Sequence, residues 1–160
     1  MNEPLPRGSE TSLVLTHLMQ PADANYMGNI HGGIMMKLID EAAGACAYRF
    51  CRTAVVTAAI DRIDFHHPVQ PGDLVRLLAN VNYSGTTSLE VGVRVEAEDL
   101  TTGMVSHTNS AYLVFVALSG SGRPIPVPRL EPQTDDQKRR WAEAAERRRA
   151  RLAQRTPADD

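Results

Sequence analysis

The chain has 160 residues, 42% of them hydrophobic, and a formal net charge of -2. This length and composition fit one domain with one core and argue against two separate cores. The near-neutral charge argues against a general nucleic-acid binder, and no apolar run approaches the roughly 20 residues that span a bilayer. The start MNEPLPRGSE lacks the charged and then apolar pattern of an export signal, so we expect a cytoplasmic protein with neither membrane nor nucleic acid as a partner.

The first third of the chain predicts a strand, a shaped loop and a long helix. Apolar residues alternate over residues 12–19, which predicts a strand that stops at the following Gln-Pro pair. The segment PADANYMGNIHGG is rich in Asn, Asp and Gly, as in a loop that leads into a helix. The helix is predicted to begin at Gly32 or Gly33 and to end near Cys51.

Most of the circumference of this helix is apolar, which predicts a buried helix. Met36 belongs to the apolar part. We expect only a narrow polar stripe to meet solvent, formed by Lys37, Glu41, Gly44 and Tyr48. Gly44 lowers helix propensity by about 1 kcal/mol relative to Ala. Close packing of the helix backbone against a sheet is the expected reason for this glycine.

Four further extended segments follow the helix, at residues 54–66, 73–83, 88–98 and 104–118. In the second of them, alternation places Tyr83 on the same face as Val75 and the apolar residues after it. The third alternates most cleanly, with Glu90 on a charged face that is predicted to meet solvent. The connecting loops have hairpin length, which favours antiparallel pairing. We therefore predict an α+β fold in which an antiparallel five-stranded sheet is wrapped around one long central helix.

The end of the chain predicts a helical extension. A proline-rich connector, SGSGRPIPVPRLEPQ, precedes the mixed-charge segment TDDQKRRWAEAAERRRARLAQR, which is typical of a helix. Its basic residues are typical of a solvated helix face and could also hold phosphates: Arg147, Arg148, Arg149 and Arg151.

Cys46 and Cys51 are the only cysteines. Five residues apart on a helix, they point to different faces and are not expected to form a disulfide. We interpret them as small buried hydrophobic residues. A nucleophilic thiol would need an activating His or helix N-terminus beside it, which the sequence does not indicate.

Asp40 is the first candidate for chemistry, because it lies inside the apolar helix and is bordered by Met36, Ala43 and Ala47. Partial desolvation raises the pKa and the basicity of a carboxylate, as the activation of water requires. The alternative is an ordinary helix carboxylate at the solvent margin. The residues by themselves leave both interpretations open.

Asn25 and the Gly32-Gly33 pair form the second candidate. A helix N-terminus presents unpaired N–H groups, and the two glycines would let a ligand oxygen approach them. The alternatives are an ordinary tight turn for the glycines and a loop-capping amide for Asn25.

Metal and cofactor motifs are not evident in the sequence. His31, His66 and His67 with Asp64 do not form a metal-ligand pattern, because adjacent residues of a strand point to opposite faces. The sequence also contains no nucleophile elbow, phosphate loop or dinucleotide fingerprint. We therefore predict no metal, and serine-triad chemistry is not supported.

Four segments, in this order, carry a resemblance to a known family: ANYMGNIHGGIMMKLIDEAAG, VTAAIDRIDFHHPVQPGD, SGTTSLEVGVRVEAED and HTNSAYLVF. Over about residues 10 to 153 the chain resembles the hotdog acyl-CoA thioester hydrolases, especially the domains of the tandem-hotdog cytosolic acyl-CoA hydrolases. The composite motif is specific because it spans a loop, a helix and four strands. The resemblance implies a hotdog acyl-CoA hydrolase domain at residues 10–120, a proline-rich connector at 121–132 and a charged helix at 133–155.

The resemblance also implies how the site is assembled. In the tandem relatives the site looks divided, with an Asn from one hotdog unit and an Asp from the other. Asn25 and Asp40 match both positions on one chain, which implies a homodimer with two equivalent sites. The expected assembly is a trimer of dimers, and a tetramer is the alternative. The coenzyme A contacts of the family correspond by position to two strand segments and one tail residue: Ala58, Ala59 and Ile60; Thr87, Ser88 and Leu89; and Arg149.

By this resemblance, the expected reaction is hydrolysis of acyl-CoA to a fatty acid and coenzyme A without a cofactor. The thioester carbonyl oxygen would lie near Gly32 or Gly33, and Asn25 would orient substrate or water. Asp40 would act as general base toward water, and direct attack to form a mixed anhydride is the second route. Two other classes remain open: a hotdog dehydratase, which usually carries a His in its helix, and a noncatalytic acyl-CoA-binding module.

Overall fold

The structure, a computed structural model, describes residues 3–154 and contains one sheet and two long helices. The strands are β1 (Ser12–Leu18), β2 (Val55–Phe65), β3 (Leu74–Ser84), β4 (Ser88–Glu98) and β5 (Val105–Ala117). The helices are α1 (Gly32–Cys51) and α2 (Asp135–Gln154). Residue 155, the last of the predicted tail helix, lies outside the described residues.

All strand pairs are antiparallel, and the order across the sheet is β1-β3-β4-β5-β2. β3, β4 and β5 are joined by tight turns and pair in sequence, whereas β2 pairs with β5 and forms one edge. The prediction of a five-stranded antiparallel sheet around one long helix, with a helical extension, is confirmed. Neither α1 nor α2 is long and apolar enough to cross a membrane.

Local hydrogen bonds and backbone conformation explain where α1 begins and ends. The first amides of a helix lack intrahelical acceptors, and the ring Nδ1 of His31 accepts a hydrogen bond from Gly33 N–H at 3.0 Å. At the other end Arg52 adopts a left-handed conformation, with φ at 54°, and its N–H donates to the Tyr48 carbonyl. The predicted bounds of the helix are therefore confirmed.

The core lies between α1 and the inner face of the sheet. Small residues on α1 allow this close approach, and Phe50 fills the end of the space. Fully buried members from the two layers are Ile39, Ala42, Ala43, Ala47, Phe50, Val75, Val91, Val95 and Leu113. Removing this apolar surface from water is the main stabilising contribution to the fold.

The solvent-exposed face of α1 is wider than predicted. Met36 is 43% exposed, so it does not belong to the buried part. A Cβ atom built on Gly44 would have only the Phe115 ring near it, with Cε1 at 3.7 Å, which is an ordinary van der Waals distance. Close backbone packing is therefore not the reason for this glycine, and that expectation was wrong.

The outer face of the sheet is covered in part by α2. Glu90 is only 3% exposed, because Arg147 of α2 donates two hydrogen bonds to its carboxylate, at 3.0 and 2.7 Å. A bulge between Val81 and Tyr83 turns Tyr83 away from the core, and its ring lies 5.2 Å from that of Trp141. The predicted solvent face of β4 is therefore wrong at Glu90, and the predicted placement of Tyr83 on the same face as Val75 is also wrong.

Candidate active site

Asp40 lies on α1 next to the edge strand β2 and is partly exposed. Thr57 on β2 donates a hydrogen bond from Oγ1 to Asp40 Oδ1 at 2.7 Å. Both residues line an open cavity of about 660 Å³. Within the described residues, Oδ2 of Asp40 accepts no hydrogen bond from the protein, so this oxygen can accept one from water.

Thr57 was not among the residues predicted from the sequence. It carries the only hydroxyl in the apolar segment VVTAAI, and this polar atom in an apolar strand was the available signal. A hydroxyl that donates to one carboxylate oxygen fixes the orientation of the other. We therefore include Thr57 in the candidate site as a positioning residue for Asp40.

Asn25 shapes the loop before α1. Its side-chain oxygen accepts hydrogen bonds from the backbone N–H of Met27 at 2.9 Å and of Asn29 at 3.3 Å. Its backbone N–H donates to the Asn29 carbonyl at 2.7 Å. Asn25 is thus a loop-capping amide, while its side-chain NH₂ donates to no acceptor within residues 3–154, and the residue lines a second cavity of about 300 Å³.

The two glycines at the start of α1 differ in what their amides contact. The Gly33 N–H is taken by the His31 ring, and the next two amides, of Ile34 and Met35, donate to the His31 carbonyl. Gly32 lines the same cavity as Asn25. Its N–H is therefore better placed than that of Gly33 to meet a ligand oxygen in this cavity.

The Asn25 cavity has further polar walls that sequence reasoning missed. Asn109 on β5 lines it, is 1% exposed and has a side-chain oxygen without a partner. His66, beside this cavity, packs against the His107 ring with centroids 4.8 Å apart. Among residues 3–154, no group of three or more His, Cys, Asp or Glu side chains is arranged to hold a metal ion.

Asn25 and Asp40 do not meet in one chain. The cavity that contains Asn25 and Gly32 shares no lining residue with the cavity that contains Asp40. Along α1, Gly32 and Asp40 are eight residues and therefore about 12 Å apart. A single chain thus holds Asn25 and Asp40 in two separate cavities.

The two predicted coenzyme A segments come together at one end of the sheet. Thr57, next to the segment Ala58–Ile60, pairs with Phe115 of β5, and Phe115 pairs in turn with Leu89 of β4. Two strand spacings, about 10 Å, separate the segments. Two bulges interrupt the pairing of β2 with β5, at Ala58 and at Asp61.

The four tail arginines take different positions. Arg151 contacts Asp61, one residue beyond the strand segment, and Arg148 lies over the Tyr83 ring beside the turn before β4. Arg147 forms an ion pair with Glu90. Arg149 is exposed and pairs with Glu146 on its own helix, so it has no contact with the other predicted coenzyme A residues.

The cysteines are buried on α1, as interpreted from the sequence. Burial raises the thiol pKa of Cys46 to about 12, against a smaller lowering by Arg49. Burial likewise raises the thiol pKa of Cys51 to about 11. Neither thiol forms an appreciable amount of thiolate near neutral pH, which argues against a nucleophilic cysteine.

Comparison with known sequences gives a consistent family. A family model described as thioesterase superfamily matches residues 27–104. The chain is 40% identical over 128 residues to the Bacillus subtilis protein named uncharacterized acyl-CoA thioester hydrolase YkhA, covering 80% of this chain and 74% of that one. It is 38% identical over 137 residues to the human cytosolic acyl coenzyme A thioester hydrolase, covering 84% of this chain but only 36% of the human protein.

Solved structures agree with the sequence relatives. A hexameric acyl-CoA thioesterase, in its apo form, superposes with a TM-score of 0.87 at 39% identity and covers 94% of this chain and 98% of its own. An acyl-CoA hydrolase of Staphylococcus aureus, solved with butyryl coenzyme A, superposes with a TM-score of 0.85 at 34% identity. The overlap covers 92% of this chain and 90% of that one.

Proposed function

This chain belongs to the thioesterase superfamily, among the acyl-CoA thioester hydrolases, and from that membership we propose that it hydrolyses acyl-CoA to a fatty acid and coenzyme A with Asp40 as general base. The observation that carries the role of Asp40 is its position in an open cavity with one carboxylate oxygen held by Thr57 at 2.7 Å. The reaction needs no cofactor, because coenzyme A is part of the substrate and of the product. We also propose a cytoplasmic location, as the name of the human relative indicates for that protein.

The thioester is bound between two half-sites in this proposal. The carbonyl oxygen lies in the Asn25 cavity, where the Gly32 N–H and the helix N-terminus stabilise the negative charge that develops on it. Asn25 uses its free NH₂ group to orient substrate or water. Asp40 then takes a proton from water through the oxygen that Thr57 leaves free. Direct attack by Asp40 to form a mixed anhydride is the second route.

The catalytic unit is a homodimer in which each site takes Asn25 from one chain and Asp40 from the other. Two observations support this arrangement. The two residues line separate cavities in one chain, and β2 presents an edge with the exposed apolar residues Val56, Ile60 and Phe65. The hexameric relatives are compatible with an assembly of three such dimers.

Coenzyme A would bind across the end of the sheet, between the β2 edge and the turn before β4. Ala58, Ala59 and Ile60 would hydrogen-bond the amides of the pantetheine arm through their backbone. A second segment, Thr87–Leu89, and Arg149 would contact the nucleotide part. The proximity of the two strand segments supports this binding mode, and Arg149 would have to exchange Glu146 for a phosphate.

The decisive experiment is free-thiol release from a panel of acyl-CoA substrates by the wild type and by Asp40→Asn. General base catalysis contributes about 10²- to 10⁴-fold, so we expect a loss of kcat in that range while acyl-CoA still binds. Circular dichroism checks the fold and calorimetry checks binding. Near-normal turnover by the folded variant would disprove the role of Asp40.

Thr57→Val is the matched variant, because it keeps the size of the side chain and removes only the hydrogen bond to Asp40. It should lower kcat less than Asp40→Asn does and should leave the KM close to that of the wild type. The same panel separates the three classes considered. A dehydratase would form an enoyl product from a hydroxyacyl-CoA without thiol release, and a binding module would release no thiol from any substrate.

A further inference from the structure

The Asp40 cavity continues along α1 beyond the carboxylate. Asp40, Gly44 and Tyr48 are spaced four residues apart and all line it, so they form one row on the helix surface. The helix rise places Gly44 about 6 Å and Tyr48 about 12 Å from Asp40. A groove therefore leads from the proposed reacting centre toward the C-terminal end of α1.

The walls of this groove near Gly44 are apolar apart from Glu41, whose half-exposed side chain pairs with Lys37, and the far end is charged. Val55 of β2 and Phe115 of β5 face the helix at this level, and Phe115 is only 2% exposed. Arg49 and Arg52 line the cavity at the far end, beside Tyr48 and beyond it. A hydrocarbon chain would be stabilised up to Tyr48 and would then meet guanidinium groups and solvent.

Gly44 is not explained by the packing of the chain. Outside its own helix turn and within residues 3–154, an added Cβ would make one ordinary contact, 3.7 Å to Phe115 Cε1, and would meet no backbone atom. The residue is an ordinary helical residue inside α1 and has no positive φ. Because glycine is a poor residue for a helix interior, an alanine would be expected here if packing and helix stability alone decided. What the missing side chain does provide is open space between Asp40 and Tyr48.

We propose that Gly44 determines which acyl chains this protein accepts, because the acyl group of the substrate passes directly over it. This inference rests on the proposed function. An extended chain of single bonds advances about 1.2 Å per bond, as the backbone does, so the groove holds about five bonds up to Gly44 and about ten up to Tyr48. The preferred substrates are accordingly straight, medium-length acyl-CoAs, and a larger side chain at Gly44 blocks all chains longer than about five carbons.

The test is the profile of kcat/KM against chain length for acetyl-, butyryl-, octanoyl-, decanoyl- and palmitoyl-CoA. The wild type should be most active on octanoyl- and decanoyl-CoA. Gly44→Val should lower kcat/KM for these two substrates by about tenfold or more, since small changes in an apolar pocket alter selectivity by this order. It should leave acetyl- and butyryl-CoA within about twofold of the wild type.

Two further variants control for effects on the fold. Gly120→Val adds the same side chain to an exposed glycine with no atom within 4 Å of the new Cβ, and its profile should match that of the wild type. Gly44→Ala should melt no lower than the wild type, because alanine favours the helix, and should still reduce activity on decanoyl-CoA relative to butyryl-CoA. The Gly44→Ala variant therefore still tests the inference if Gly44→Val does not fold.

The outcomes separate this inference from the proposed function. A wild type that hydrolyses butyryl-CoA, with variants that have an unchanged profile or lose activity equally on all chain lengths, would overturn the inference alone. A wild type that releases no thiol from any acyl-CoA would overturn the proposed function and the inference with it.

Discussion

The proposed division of the site between two chains predicts complementation between two inactive variants. Asn25→Ala should remove activity from one half-site, and Asp40→Ala from the other, because the two residues line cavities with no residue in common. Each variant alone should be inactive. When equal amounts are mixed and re-paired at random, a site is intact only if both of its contributing chains carry the right residue, which gives about a quarter of wild-type activity.

The fraction of one quarter does not depend on whether the dimers assemble further, because each site needs one residue from each of two chains. The assay is thiol release from butyryl-CoA after co-expression of differently tagged variants and purification through both tags. If the doubly tagged species is a separate mixed dimer, one of its two sites is intact and it should reach about half of wild-type activity. If it is a hexamer of randomly paired chains, it should stay close to a quarter. Mixing Asp40→Ala with Asp40→Asn is the matched control and should recover nothing.

Recovery well below these values in verified mixed dimers would refute the reasoning. It would mean that Asn25 and Asp40 serve one site from the same chain, or that the dimer pairs through another surface. Activity in the Asp40→Ala and Asp40→Asn mixture would instead show that Asp40 is not required.

Three other predictions concern the tail helix and the thiols. Arg147→Met leaves Glu90 buried without its counter-charge, so the free energy of unfolding measured in urea should fall by about 3 kcal/mol or more. Glu90→Gln should lower this free energy less, because the Arg147 side chain is 23% exposed and that of Glu90 only 4%. The reverse order would contradict the burial argument. Arg149→Ala should raise the KM for acyl-CoA more than it lowers kcat, while the KM for a thioester without the nucleotide should not change. Equal losses of kcat/KM on both substrates would mean that the tail helix serves assembly instead of substrate binding. Burial raises the thiol pKa of Cys46 to about 12 and that of Cys51 to about 11. Iodoacetamide at pH 8 should therefore label the native protein at least about 100-fold more slowly than the urea-unfolded protein. Rapid labelling of the native protein would contradict the burial of the two thiols.

The candidate site was predictable from the sequence to different degrees. Asp40 could be found because a carboxylate inside an apolar helix is locally anomalous. Thr57 could not be assigned to it, because the contact joins residues 17 positions apart through the packing of β2 on α1. The choice between Gly32 and Gly33 likewise depended on the His31 ring, which takes the Gly33 N–H and was considered in the sequence only as a metal ligand.

The sequence by itself determined the elements and their bounds. Alternation indicated the limits of β4, and a proline-free apolar run that begins at a glycine pair indicated those of α1, because these signals depend only on neighbours a few residues apart. Tertiary structure decided whether each face of a strand or helix meets solvent or another element of the fold. The pattern of β4 marked Glu90 as polar, but only the packing of α2 made it a buried partner of Arg147. The sheet order, which makes β2 an edge beside Asp40, is likewise a long-range pairing that no local period encodes.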